Sequence, residues 1–331
     1  MNNTLLNIKN LKTYFFTEEG SVKAVDEVSL KIDKGEVLGL VGESGCGKST
    51  LSFSILRLIR DPGRIVGGEL WFDGVDLLSL SEAEMRKVRG GDIAMIFQNP
   101  MSSLNPVFTV GSQIAEAIEL HQNAKKSEVV KKIVEILSKV GIPNPTERMD
   151  DYPHEYSGGM AQRAVIAMAL SCNPKLLIAD EPTTNLDVTI QAQILELMKA
   201  LRKDFGASIL LIGHDLGVIS ELSDRIAVMY AGKLVESSDL EGIFQKPMHP
   251  YTQALLESIP RLDVKTKRLR IIPGTVPRLI KPPPGCRFNP RCEHAMKICS
   301  EQEPQLTEVD KGHTVACHLY TANNKSNRKF R

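Results

Sequence analysis

Hydrophobic and polar positions alternate along the first 35 residues on either side of a polar turn, TEEGSVK, the pattern of an antiparallel hairpin. From Glu36 the pattern changes: short apolar runs (EVLGLVG, DIAMIF, LLIADEP, SILLIGHD and RIAVMYAG) alternate with longer stretches of helical period. Apolar strands separated by helices predict a mostly parallel sheet in an α/β domain. Between Val110 and Val140 the helical period dominates. Val129, Val130, Ile133, Ile136, Leu137 and Val140 recur at three- and four-residue steps, which predicts one buried face and a helical insertion between two strands. Beyond Tyr251 the pattern thins into PGTVPRLIKPPPG, where five prolines in thirteen residues continue neither helix nor strand. That stretch reads as a linker. The last eleven residues, TANNKSNRKFR, are polar and basic and read as a frayed tail. No internal repeat is visible, so the α/β domain is expected in one copy.

Composition narrows the class of protein. The chain has 331 residues, 42% of them hydrophobic and 24% charged, and its 41 basic side chains face 40 acidic ones. That length supports real cores without staples, and the even charge argues against bulk affinity for nucleic acid. The N-terminus lacks the pattern of a secretory signal, and no run of 18 or more apolar residues occurs. The expectation is a cytosolic protein with reduced thiols, in which disulfides are the weakest reading of the six cysteines. Four of those follow the linker at Cys286-x5-Cys292-x6-Cys299-x17-Cys317. The short C-x2-4-C knuckles of structural zinc and the close cysteine run of ferredoxins are both absent. Four thiolates suit Zn²⁺ or an iron–sulfur cluster, and free structural thiols remain a third reading. His294, His313 and His318 are substitute ligands or plain surface histidines, and Cys172, in AMALSC, reads as a small core residue.

The candidate chemistry begins at GESGCGKS, Gly42 to Ser49, which fits G-x-x-x-x-G-K-[ST] after an apparent buried strand and before a helical pattern. Glycines let backbone N–H groups wrap phosphates, and the helix start adds its positive end. The candidate cradle is Gly42, Ser44, Gly45, Cys46, Gly47, Lys48, Ser49 and Thr50. Lys48 would reach the β- and γ-phosphates of a nucleotide, and Ser49 would offer its hydroxyl to Mg²⁺. Downstream, KLLIADEP is an apolar run that ends in Asp180 and Glu181. Carboxylates at the carboxyl edge of a buried strand suit a metal ligand, Asp180, and a general base for the attacking water, Glu181.

YSGGMAQR, Tyr156 to Arg163, lies about twenty residues before Asp180. With it the chain, from Leu5 to about Ile259, resembles the ATP-binding cassette (ABC) family, whose signature reads LSGGQ. The resemblance implies a phosphate-loop ATPase fold with an antiparallel β subdomain and a helical insertion. By it Gln98, in IFQNP, senses Mg²⁺ and water, and Asp187, ending TTNLD, faces the opposite subunit. His214, in IGHD, faces the γ-phosphate. Tyr14 or Phe15 stacks on adenine. Ser157, Gly158 and Gly159 bind the γ-phosphate held by another subunit's loop, so the working unit is a dimer with two ATP molecules. Met160 stands where the signature has glutamine, and Asn185 where the family has alanine.

KPMHPYTQALLESIP, followed by IIPGTVP and the cysteine-bearing tail, resembles the C-terminal extension of ATPases of the dipeptide/oligopeptide/nickel importer group. That implies import of peptides, with nickel or another small solute as the alternative. The implied partners are a second ATPase, two membrane permeases and an external binding protein, with no nucleic acid. The implied place is the cytoplasmic face of the membrane, and the implied metal at the four cysteines is a 4Fe-4S cluster. The domain expectation is residues 1–260 for the ATPase, with the helical part at about 100–170, and residues 261–331 for linker and irregular cysteine-rich extension. A soluble cassette acting on ribosomes or DNA is a rival reading. So is a regulator that binds ATP without hydrolysing it, which Glu181 and His214 together oppose.

Overall fold

The computed structural model describes residues 3–122, 124–184, 186–259 and 272–320. Asn185, most of the stretch joining HPYT to the prolines (260–271) and the basic tail (321–331) lie outside the described residues. In chain order the described strands are β1 (Thr4–Thr17), β2 (Gly20–Asp33), β3 (Val37–Val41), β4 (Gly63–Phe72), β5 (Val75–Asp76), β6 (Ile93–Ile96), β7 (Leu176–Asp180), β8 (Ser208–Gly213), β9 (Arg225–Tyr230), β10 (Lys233–Asp239), β11 (Thr307–Asp310) and β12 (His313–Val315). The chain divides into two compact units. A helical unit takes the residues up to Leu5, Ile32–Val37 and Asp76–Ile212, and a loop unit takes Leu6–Lys31, Leu38–Val75 and the chain from Gly213 onward.

In the loop unit, β1 and β2 are joined by the two-residue turn Glu18–Glu19, as the alternation predicts. They belong to a sheet of order β2-β1-β4-β5, in which β1 and β4 run antiparallel with Phe15 opposite Gly63. A second run of strands has β3 parallel to β9, then β10 antiparallel to β9. All five residues of β3 are buried, and each Val or Leu so covered contributes about 1.5–3 kcal/mol. The prolines leave residues 272–285 without helix or strand. Beyond them the extension is less irregular than its sequence suggests. It forms a short helix, Lys297–Glu301, and the hairpin β11–β12, which pairs with β10 through Glu236 opposite Val315 and Ser237 opposite Thr314. The edge of β10 thereby gains a hydrogen-bonding neighbour, which an open strand edge requires.

In the helical unit β6, β7 and β8 are mutually parallel. The predicted insertion stands between β6 and β7 and includes the helices Val110–His121, Lys126–Lys139 and Gly158–Leu170. Val129, Ile133, Ile136, Leu137 and Val140 are buried, but Val130 is 48% exposed. One residue beyond Val129 is a rotation of about 100° on a helix, which carries Val130 off the apolar stripe. Cys172 is half-buried rather than core, with its thiol 3.3 Å from the carbonyl of Ala117. Among the described residues no helix is long and apolar enough to cross a membrane.

Candidate functional site

The loop unit carries the phosphate loop. It leaves β3, turns through residues 42–47 and enters the helix Lys48–Ile55. Gly47 has φ +107°, and a Cβ there would lie 2.1 Å from the carbonyl oxygen of Ala24, so only glycine fits. Lys48 is 5% exposed, and its ammonium donates to the carbonyls of Gly42 at 2.6 Å and Glu43 at 3.1 Å. Cys46 is buried, which pushes its thiol up and leaves it no nucleophile. Ser44, Gly45 and Ser49 are exposed, and Thr50 is half-buried.

Glu43, in a variable position of the motif, is held from far along the chain. Its backbone N–H donates to the phenol oxygen of Tyr251 at 2.9 Å. Its carboxylate accepts from both terminal nitrogens of Arg291, at 2.7 and 3.0 Å. Sequence reasoning missed these partners because 248 positions separate Glu43 from Arg291. The HPYT motif singled out Tyr251 without saying what it touches.

Tyr14 and Phe15 are adjacent in β1 and so point to opposite faces. The Tyr14 hydroxyl donates to Asp26, and burial together with this bond makes the phenol a much weaker acid than an ordinary tyrosine. The Phe15 ring lies against Gly63, where a Cβ would come within 2.6 Å of it. His214 is exposed just after β8, and the next residue, Asp215, caps the short helix Leu216–Ser220 by accepting from Gly217 N–H at 2.8 Å.

The helical unit carries the remaining candidates. Asp180 ends β7 and is 5% exposed. Glu181 follows with φ +49°, a left-handed conformation that costs a β-carbon residue on the order of 1 kcal/mol or more. Its backbone N–H still donates to Ile212, at 2.9 Å. Its Oε2 accepts from the amide of Gln98 and the hydroxyl of Thr184, each at 2.9 Å. The structure thus brings Gln98 and Glu181 together across 83 positions. Ser157 caps the helix Gly158–Leu170 by accepting from Met160 N–H at 3.2 Å. A side chain at Gly158 would meet nothing within 4 Å, whereas one at Gly159 would press on Ile190. Asp187 caps the helix Val188–Phe205 by accepting from Ile190 N–H at 2.9 Å.

Asp180, in the helical unit, and Ser49, in the loop unit, each offer the oxygen donor that a hard cation such as Mg²⁺ takes. That ion normally takes only one or two carboxylates plus substrate phosphates, so no preformed cage is required.

All six cysteines are free. Burial pushes Cys286 up to about 11 and Cys317 up to about 12, and the neighbouring thiols add to both shifts. Among the described residues no group of three or more His, Cys, Asp or Glu side chains is placed to hold a metal ion. As placed, the four thiols therefore form a site for neither Zn²⁺ nor a 4Fe-4S cluster. Two of the three candidate histidines are buried rather than on the surface and are occupied elsewhere, His313 with Glu236 at 2.7 Å and His318 with the carbonyl of Gln302 at 2.8 Å.

Comparison with known proteins agrees with this layout. A family model described as ABC transporter matches residues 25–184, and one described as oligopeptide/dipeptide transporter, C-terminal region, matches residues 235–299. The oligopeptide transport ATP-binding protein AppD of Bacillus subtilis is 52% identical over 96% of this chain and 97% of its own length. The dipeptide transport ATP-binding protein DppD of Escherichia coli is 49% identical over 95% of this chain and 96% of its own. Among solved structures, the ATP-binding cassette MJ0796, a dimer in a post-hydrolysis state bound to ADP and Pi, is 28% identical. It matches with a TM-score of 0.64, covering 71% of this chain and 99% of that one. With a phosphate loop at Gly42, an acidic strand end at Asp180 and relatives of this similarity along nearly its whole length, the chain belongs to the ATP-binding cassette family, among the ATP-binding proteins of oligopeptide and dipeptide transporters.

Proposed function

We propose that the chain is the ATP-binding and ATP-hydrolysing subunit of an importer of dipeptides or oligopeptides. It works as one of two cassette ATPases on two separate membrane permeases, at the cytoplasmic face of the membrane, with an external binding protein delivering the cargo. The relatives' names support the substrate class. The observation that supports an engine, and not a passive nucleotide binder, is Glu181, held at the end of β7 by Gln98 and Thr184. A carboxylate oriented by neutral donors is suited to take a proton from an attacking water.

The residue roles of this reading come from the motifs. Gly42 to Thr50 bind the phosphates, and one of Tyr14 and Phe15 stacks on the base. Asp180 and Ser49 hold Mg²⁺, which neutralises phosphate charge. Gln98 orients Glu181 and the water, and His214 faces the γ-phosphate. Ser157, Gly158, Gly159 and Asp187 serve the nucleotide held by the other ATPase, so ATP closes the pair and hydrolysis reopens it.

The test is ATP hydrolysis by the chain reconstituted with its partner ATPase, permeases and peptide-binding protein in vesicles. Peptide-dependent turnover is expected, and loss of the peptide effect with intact basal hydrolysis would overturn the transport reading. Two finer readings accompany it. Cys286, Cys292, Cys299 and Cys317 are of the residue type that holds a 4Fe-4S cluster, and binding one would require the thiols to converge further than they do as placed. Iron and sulfide in an anaerobic preparation support the cluster, and a colourless, metal-free, folded protein rejects it. A domain boundary near residue 260 predicts that residues 1–260 fold and bind ATP when expressed alone, and failure of that fragment to fold rejects it.

A further inference from the structure

The residues from Arg287 to Arg291 have no part in the roles above, yet each of these two arginines ends on the phosphate loop or on the turn beneath it. Arg291 is 8% exposed and forks onto the carboxylate of Glu43, at 2.7 and 3.0 Å. Its Nε donates to the carbonyl of Pro273 at 2.7 Å, so the guanidinium is fixed before it reaches the loop. Its guanidinium also lies 5.8 Å from the centre of the Tyr230 ring and 6.0 Å from that of Phe288. Those rings pack with Tyr251, whose hydroxyl receives the backbone N–H of the same Glu43. Arg287 is 7% exposed and donates to Asp26 and to the carbonyl of Ala231. The residue after Ala231, Gly232, donates its N–H to the carbonyl of Cys46 at 2.8 Å. The loop is thus fastened near both ends, at Glu43 and at Cys46.

The geometry points to a further role for the C-terminal extension: Arg291, with Arg287 beneath it, is a positioning residue of the chain's own phosphate loop, and it neutralises Glu43 where the phosphates of ATP must enter. This rests on the reading of Gly42 to Thr50 as the phosphate cradle. A carboxylate at that mouth repels a polyanion unless a cation faces it, and the bidentate fork both supplies the cation and fixes the loop's first turn. The two arginines directly follow Cys286 and precede Cys292, so the fold of the cysteine segment sets where both guanidinium groups lie.

The experiment measures ATP affinity, KM and kcat on the purified full chain, with thermal midpoints in parallel. Arg291→Met is expected to weaken ATP binding and raise KM about tenfold, with kcat at saturating ATP unchanged. The loss should shrink as salt is raised, because it is a charge effect. Adding Glu43→Gln to Arg291→Met should restore affinity to within about threefold of the parent, since the unpaired carboxylate is then gone. An arginine that only stabilises the fold moves the midpoint without this rescue or this salt dependence. Should Arg291→Met not fold, Arg291→Lys, which keeps the charge and loses the fork, is expected to bind ATP a few-fold more weakly, on the order of threefold. Lys48→Ala separates the two levels of the reading. If it loses affinity while both Arg291 variants bind like the parent, the positioning role falls and the cradle stands. If Lys48→Ala also binds like the parent, the cradle itself is wrong.

Discussion

The ends of β3 and β7 each lead into a glutamate, and the two are held by groups of different kinds. Glu43, two residues beyond β3, faces the guanidinium of Arg291, with both carboxylate oxygens engaged. Glu181, one residue beyond β7, takes an amide and a hydroxyl at one oxygen, Oε2. A guanidinium fork answers a carboxylate's charge and locks its plane, whereas an amide and a hydroxyl meeting at one oxygen fix the direction of that oxygen. The first arrangement makes a fastening. The second aims a carboxylate that the proposed reading makes the base, on a backbone whose positive φ is costly for a residue with a β-carbon.

The sharpest way to break this contrast is Glu181→Gln. Phosphate release should fall by about 10²–10⁴-fold, the usual worth of a general base, while nucleotide binding is kept; a rapidly turning variant would remove Glu181 from its role. Next comes packing under the helical insertion. Ile133→Ala should cost about 2–5 kcal/mol in denaturant unfolding, since that side chain is buried.

Acid should loosen the Glu43 side specifically. His249 begins the helix that carries Tyr251 to Glu43, and burial lowers its imidazole to about 4. The unfolded chain protonates it near the ordinary value of about 6.5. Stability is therefore full above that value and is lost as the pH falls towards 4, by about 3 kcal/mol in all. His249→Asn keeps a side-chain acceptor for Tyr251 N–H and should flatten the pH dependence of the denaturation midpoint. The smallest effect belongs to Val130→Ala, within about 0.5 kcal/mol because the side chain is half in water.

Much of the fold was legible beforehand, for identifiable reasons. The runs at Val37, Ile93, Leu176, Ser208 and Arg225 are short and apolar, and each is a strand with a parallel neighbour. The hairpin of β1 and β2 follows from the alternation of apolar and polar positions on either side of a polar turn. Val130 misled because a three- and four-residue count tolerates a neighbour that lies outside the stripe. The strands β11 and β12 went unseen because TEVD and HTV are too short and too polar to announce themselves; their partner, β10, is what makes them strands. Of the site, the phosphate loop was legible from spacing alone, but nothing local distinguishes Arg291 from any other arginine.

What the amino-acid order determined by itself is whatever is encoded within one turn or one strand: the glycines and lysine of the loop, the acids closing an apolar run, the serine and aspartate that start helices. Tertiary structure alone decided which distant groups those local pieces meet. Gln98 reaches Glu181, Tyr251 and Arg291 reach Glu43, and Arg287 reaches Asp26. The physical reason is that a hydrogen bond or an ion pair is chosen by distance and direction after the chain has folded, and sequence separation carries no information about either.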